Sequence, residues 1–349
     1  MDVISLLHIE SSEVIQLGKR TTKIILITLC MLLLILDAKT AGKGAVDGLY
    51  LCIQTLVPSL FPFILVSILL TDTLAGFTSS IMRPIYKLLR IPDGAESLFL
   101  IGMVGGYPVG AQIISHAVDQ GRLTNQDGSR MFSFCNNAGP AFLFGVVSSQ
   151  FPNSKYVWLI WIILILSAIL TGAILPGTNI AKSSIAFQKS MTITQAMEKA
   201  LKIMAGICGW VIIFRVILAF AERWFLWLLP ETLRVIAEIL LELANGCTSL
   251  NTISNIGLRF IVSIMGLSIG GFCVLLQTLS VSGSLRISKY IFGKLLQTTI
   301  AVLLAIPVAL FLENTTSELI LTAILLTYAL MLVILSNYRK KAKLNMEFQ

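Results

Sequence analysis

The sequence predicts an all-α polytopic membrane protein, with about eight transmembrane helices and two re-entrant helical hairpins arranged as an inverted repeat. Three observations carry this. The first is composition: of 349 residues, 56% are hydrophobic and only 13% charged, with a mean hydropathy of +0.87. Soluble domains carry roughly 25% charged residues, and a chain this apolar would expose more hydrocarbon than water tolerates. The second is glycine, proline and asparagine inside apolar runs, where a lipid-facing helix accommodates them poorly. The third is that these interruptions recur in the same order in each half.

The run Met103-Val-Gly-Gly-Tyr-Pro-Val-Gly-Ala-Gln112 organises the chain. Pro108 removes a backbone donor, and Gly105, Gly106 and Gly110 favour a turn or a close backbone approach. Non-helical backbone at membrane depth persists only where protein buries it or water reaches it. The run therefore predicts the tip of a re-entrant hairpin beside a cavity. Cys135-Asn-Asn-Ala-Gly-Pro140, Leu243-Ala-Asn-Gly-Cys-Thr-Ser249 and Ser268-Ile-Gly-Gly-Phe272 share its character.

In chain order, residues 1–23 read as a polar tail ending in Lys19, Arg20 and Lys23, with no cleavable leader expected. The first span needs residues 21–38 to cross, and closes a segment over 1–44. Lys39, Lys43 and Asp47 predict a polar loop. A first repeat covers 45–176. It opens with a span over 48–70 that Pro58 and Pro62 should kink. Phe77, Ile81, Ile85, Leu88 and Leu89 beside Arg83, Lys87 and Arg90 predict an amphipathic interfacial helix over 77–91. A hairpin over 96–118, a polar turn over 119–128, a span over 130–150 broken at Asn136–Pro140 and a span over 156–175 follow. Residues 177–196 predict a cytoplasmic linker. The second repeat, 197–312, holds a span over 201–229, a hairpin over 232–257 with its tip at Asn245-Gly246, a span over 259–282 broken at Gly270-Gly271, and a span over 290–312. Residues 313–349 supply a last span at 318–337 and a basic tail.

The distribution of charge orients this layout. With the tail in the cytoplasm, most of the 26 Lys and Arg residues fall inside, Arg130 and Lys294 among them. Both termini are then cytoplasmic by the positive-inside rule. The first hairpin enters from the cytoplasm and the second from outside, which makes the halves an inverted repeat.

Each interruption frees backbone N–H and C=O groups, and half-helix ends carry partial charges that can hold a polar or anionic solute. The candidate binding residues in the first half are Gly105, Gly106, Tyr107, Pro108, Gly110, Gln112, Asn136, Asn137, Gly139 and Pro140. In the second half they are Glu242, Asn245, Gly246, Thr248, Ser249, Gly270, Gly271 and Gln277. Small residues also let helices approach, so close packing is the competing reading for any one glycine. Arg215 is an intramembrane cation that could attract an anion or pair with Glu222, two turns along its face. Glu238 and Glu242 lie four apart on the second hairpin.

Other functions find little support. Cys30, Cys52, Cys135, Cys208, Cys247 and Cys273 form no CxxC pair and read as small hydrophobes. His8 and His116 are far apart, so no metal or cofactor is expected. His116 reads as an interfacial residue and Asp72 as a solvated boundary residue. No catalytic motif appears, and no enzyme is expected. Nucleic-acid binding lacks a basic face with interleaved aromatics. The expected partners are a small-molecule solute and membrane lipid, with a homo-oligomer left open.

Ser59-Leu-Phe-Pro-Phe63, Gly105-Gly-Tyr-Pro-Val-Gly110, Phe134-Cys-Asn-Asn-Ala-Gly-Pro140, Leu241-Glu-Leu-Ala-Asn-Gly246 and Gly270-Gly-Phe-Cys-Val-Leu-Leu-Gln277 resemble the sporulation integral membrane protein family of the YlbJ type over roughly residues 45–300. That family carries the Gate, or nucleoside-recognition, domain, shared with concentrative nucleoside transporters, spore maturation proteins and the membrane part of the ferrous-iron transporter. The resemblance implies two Gate-like repeats and a transporter. It points to dipicolinate passing from the mother cell across the outer forespore membrane. A nucleoside-type transporter and a non-transporting scaffold in sporulation are the alternatives.

Overall fold

Segments too apolar for water and interrupted at depth fold here into helices that cover one another's breaks. The computed structural model describes residues 3–73, 82–177 and 192–312. The expected span at 318–337, the basic tail, Phe77, Ile81 and residues 178–191 of the linker lie outside them, as does the side chain of Asp72.

Among the described residues every regular element is helical. The first half comprises α1 (Val3–Leu36), α2 (Ala38–Leu51), α3 (Val57–Thr73), α4 (Arg83–Leu88), α5 (Glu96–Gly105), α6 (Val109–Asp119), α7 (Asn125–Cys135), α8 (Pro140–Phe142) and α9 (Ser154–Ile174). The second comprises α10 (Ile193–Trp224), α11 (Glu231–Leu241), α12 (Leu243–Thr248), α13 (Ile256–Ile269), α14 (Gly271–Val281) and α15 (Ile287–Leu312). Five described segments are long and apolar enough to cross a membrane: Ala38–Leu70, Ser154–Ile174, Ile193–Trp224, Ile256–Val281 and Ile287–Leu312. This is a multi-pass, all-α membrane protein.

Several elements depart from the sequence-based expectation. Lys39, Lys43 and Asp47 are helical, not in a loop, because the Asp37 carboxylate accepts from the Thr40 N–H at 3.3 Å and starts α2. The interfacial helix is short, and its Tyr86 and Leu89 are buried in the core. Residues 193–196 belong to α10, because Thr192 and Gln195 close a capping box. A π-helical turn at Cys52–Leu56 precedes Pro58, and another at Leu143–Val147 follows Pro140. The two wide turns face each other, and Gly145 lies against Ser59 with no room for a Cβ.

The halves repeat one order: long helix, hairpin, interrupted helix, long helix. Their packing repeats too. α5 packs on α7 as α11 packs on α13, α7 on α15 as α13 on α9, and α6 on α14 as α12 on the turn after α8. Exchanging the halves maps each contact onto another, which one-sided packing would not produce.

Two cations counted on the cytoplasmic side, near the ends of predicted spans, are in the core instead. Lys294 is 2% exposed, within α15. Arg130 is buried on α7, where its guanidinium donates to the carbonyls of Leu89, Arg90, Gly172 and Leu175. These carbonyls end α4 and α9, where no intrahelical donor remains. Arg130 thus caps two helices at once. Arg130→Met should lower the melting temperature of the detergent-solubilised protein by on the order of 5 °C, since stranding a buried carbonyl costs about 1–3 kcal/mol. An unchanged melting curve would contradict this capping role.

Candidate functional site

The first hairpin turns between α5 and α6. Gly106 takes φ +75, which side-chain-bearing residues rarely adopt, and a Cβ there would stand 3.0 Å from the Gly139 nitrogen. The tip therefore lies backbone to backbone on the break between α7 and α8. Gly110 sits as tightly on Asn136. The Asn136 side chain is wholly buried. Its Oδ1 accepts from the Ala111 N–H at 3.2 Å, and its Nδ2 donates to Thr278 Oγ1 (3.2 Å) and the Tyr290 hydroxyl (3.3 Å). Asn137 donates to the Phe134 carbonyl at 2.7 Å, freed where α7 stops. Gly139 and Pro140 start α8, and Pro108 occupies the equivalent N-cap position before α6.

The second half repeats the arrangement. Gly270, at φ +85, breaks α13 from α14, and Gly271 lies against the Leu240 carbonyl at the end of α11. Tyr107 then joins the halves. Its hydroxyl is 3.1 Å from the Leu267 carbonyl and 3.4 Å from that of Ser268, so its one proton serves carbonyls freed by the other half's break.

The second tip is at Glu242, not at Asn245-Gly246. Glu242 is extended, and its carboxylate accepts from the N–H groups of Ala244 (3.1 Å) and Asn245 (2.6 Å), which starts α12 three residues early. Gly246 is helical and needed for packing, since a Cβ would enter the Ile239 backbone.

A cavity of about 50 Å³ lies where these pieces meet. Gly105, Gly106 and Tyr107 of the first tip, Gly139 of the first break, Glu242 of the second tip and Gln277 of α14 all line it. Elements far apart in sequence thus place a few polar groups on one otherwise apolar wall. Gln277 reaches back to Cys273 Sγ at 3.4 Å. Glu242 is 2% exposed, and among the described residues no Lys or Arg comes within ion-pair distance of it.

Other candidates lie outside this wall. Gln112 is half-buried on α6. Thr248 and Ser249 hydrogen-bond to the Asn245 carbonyl within their own turn. Arg215 pairs with Asp47 at 3.2 Å and Glu222 at 3.0 Å, tying α10 to α2. Gly44 and Gly48 let those helices touch, with a Cβ on Gly44 only 2.8 Å from Val216 Cα. Glu238 pairs with Arg234 at 3.7 Å. His116 is exposed and bonded to Gln120. Cys52, Cys135, Cys247 and Cys273 are buried, Cys208 is half-buried, and Cys30 is exposed.

Sequence reasoning missed Lys294. Its Nζ donates to Asn137 Oδ1 at 2.8 Å and Gln297 Oε1 at 2.9 Å, above the ring of Tyr107. A signal was present: Tyr290, Lys294 and Gln297 recur at helical spacing, a polar stripe on an apolar span.

Tyr107→Phe should cost about 1 kcal/mol, the worth of one net hydrogen bond. We expect a fall of a few degrees in melting temperature. Arg215→Met should lower stability too, by leaving Asp47 and Glu222 unpaired, and the loss should shrink when both are also neutralised. Additive losses across that triple variant would contradict the ion-pair network.

Comparison with known proteins gives one partial relative. A stretch of 111 residues is 28% identical to the sporulation integral membrane protein YlbJ of Bacillus subtilis (strain 168). It covers 31% of this chain and 27% of that protein's length. No family model matches the chain, and no solved structure does. The chain is a multi-pass, all-α membrane protein that is similar, over about a third of its length, to a sporulation membrane protein.

Proposed function

We propose that the protein is a transporter or facilitator of a small polar or anionic solute, working without catalysis. One observation carries the reading: both hairpin tips and the interrupted helices beside them converge on one largely apolar cavity, whose polar groups come from Tyr107, Glu242 and Gln277. Secondary transporters bind at the midplane between discontinuous helices of two repeats, and this arrangement supplies the same parts. The halves are then inverted, with both termini cytoplasmic.

The cavity also suggests how the protein moves. Pockets that hold drug-sized ligands measure ~300 Å³ or more, far above the 50 Å³ found between the tips. A solute enters only when the halves part. The bonds from Tyr107 to the broken end of α13 and from Asn136 to Thr278 and Tyr290 are among the contacts that must yield. Alternating access by rocking one repeat against the other follows.

The sequence resemblance and the relative's name both favour a role in spore formation, and the resemblance alone adds dipicolinate (pyridine-2,6-dicarboxylate) as the solute and the outer forespore membrane as the location. Purified protein in proteoliposomes should take up this dicarboxylate saturably. Asn136→Ala, which removes bonds joining the first break to Ala111, Thr278 and Tyr290, should slow uptake at least ~tenfold. Nucleosides form the comparison arm, and faster nucleoside uptake would favour the nucleoside-type reading. Correctly inserted protein that moves neither class, in cells or in vesicles, would leave only a scaffold.

A further inference from the structure

We propose that Lys294 is the counter-ion of the transported solute, so that the site selects an organic carboxylate over a neutral molecule of the same shape. This rests on the transporter reading and names its substrate class and the residue that reads it.

Lys294 is 2% exposed. Its hydrogen-bond and ring partners are all neutral: Asn137 Oδ1 at 2.8 Å, Gln297 Oε1 at 2.9 Å, and the ring faces of Tyr107 at 5.1 Å and Tyr290 at 5.8 Å. Among the described residues no Asp or Glu oxygen comes within ion-pair distance of its Nζ. Arg215, by contrast, has two carboxylates. A buried cation without an anion is costly, and intramembrane ionisable groups are kept chiefly for function.

Its place in the fold says which function. Asn137 stands one residue from Ala138 and two from Gly139, both on the cavity wall, and Tyr107 is part of that wall. The ammonium is thus one layer behind the cavity, and its flexible stem can carry it forward. A solute carboxylate replacing Asn137 Oδ1 as acceptor would supply the missing negative charge. Glu242 lies on the second tip's part of the wall, with its oxygens held by two backbone N–H groups. An anion therefore binds toward the first tip and first break, where Lys294 is the adjacent cation. An uncharged solute finds no compensating gain there.

The test uses the full chain and two probes of nearly equal shape, pyridine-2,6-dicarboxylate and its neutral diamide. Uptake is measured in proteoliposomes, and probe-induced rises in melting temperature are measured in detergent. Wild type should favour the dicarboxylate at least ~tenfold. Lys294→Gln should lose that preference by a similar factor, and Lys294→Arg should keep most of it. Asn137→Asp supplies an internal carboxylate for Lys294 and should also weaken dicarboxylate binding while the protein stays folded. A monodisperse Lys294→Gln protein that retains the wild-type preference would overturn the inference and leave the transporter reading standing. Lys294-dependent dicarboxylate binding without uptake would overturn transport and keep the anion site. Neither binding nor uptake by wild type would overturn both.

Discussion

Backbone polar groups released inside hydrocarbon must find partners in the protein, because no water is there to take them. Each interruption in this chain meets that demand with a named side chain. Asn136 takes the Ala111 N–H, Glu242 takes those of Ala244 and Asn245, and Tyr107 serves the carbonyls that α13 leaves open. Arg130 does the same for the ends of α4 and α9. Two of these partners come from a different element than the one they satisfy and lie on or beside the cavity. The bonds that make the breaks tolerable are therefore also the bonds that draw the elements together around it.

Charge within the fold divides into two kinds. The partly exposed Arg215, Asp47 and Glu222 form a network between α2 and α10, and the buried Arg130 donates to carbonyl dipoles. Such groups stabilise by satisfying one another, and removing one strands the rest. Lys294 and Glu242 differ, since each meets only neutral partners and each sits at or just behind the cavity. The distinction between framework charge and working charge thus follows position. The paired groups lie away from the cavity, and the unmatched ones border it.

Tight backbone approach sets the stiffness of the centre. Gly106 on Gly139, Gly110 on Asn136 and Gly271 on Leu240 leave no space for side chains between each hairpin and the break it covers. Each hairpin is thereby locked to its own half. The bond from Tyr107 to α13 crosses between halves, as do those from Asn136 to Thr278 and Tyr290 and from Lys294 to Asn137.

Membrane class, helical architecture and the interruptions at Gly105–Pro108, Asn136–Pro140 and Gly270-Gly271 were legible in the sequence. Hydropathy and helix-breaking residues act locally, and a bilayer leaves the backbone few alternatives. The second tip was misplaced because Glu242 starts a helix through its own carboxylate, whereas Gly246 answers to Ile239 across a fold the sequence does not display. Lys294 and Arg130 read as cytoplasmic-side cations because charge near the end of an apolar run ordinarily snorkels to water. Only the tertiary structure could show that their partners come from remote segments, Asn137 in one case and the ends of α4 and α9 in the other. What the chain determined alone was where its helices must break. Apart from Glu242, which caps its own helix, the side chains that answer those breaks come from segments 25, 41 and 160 residues away, and such contacts exist only once the segments have packed.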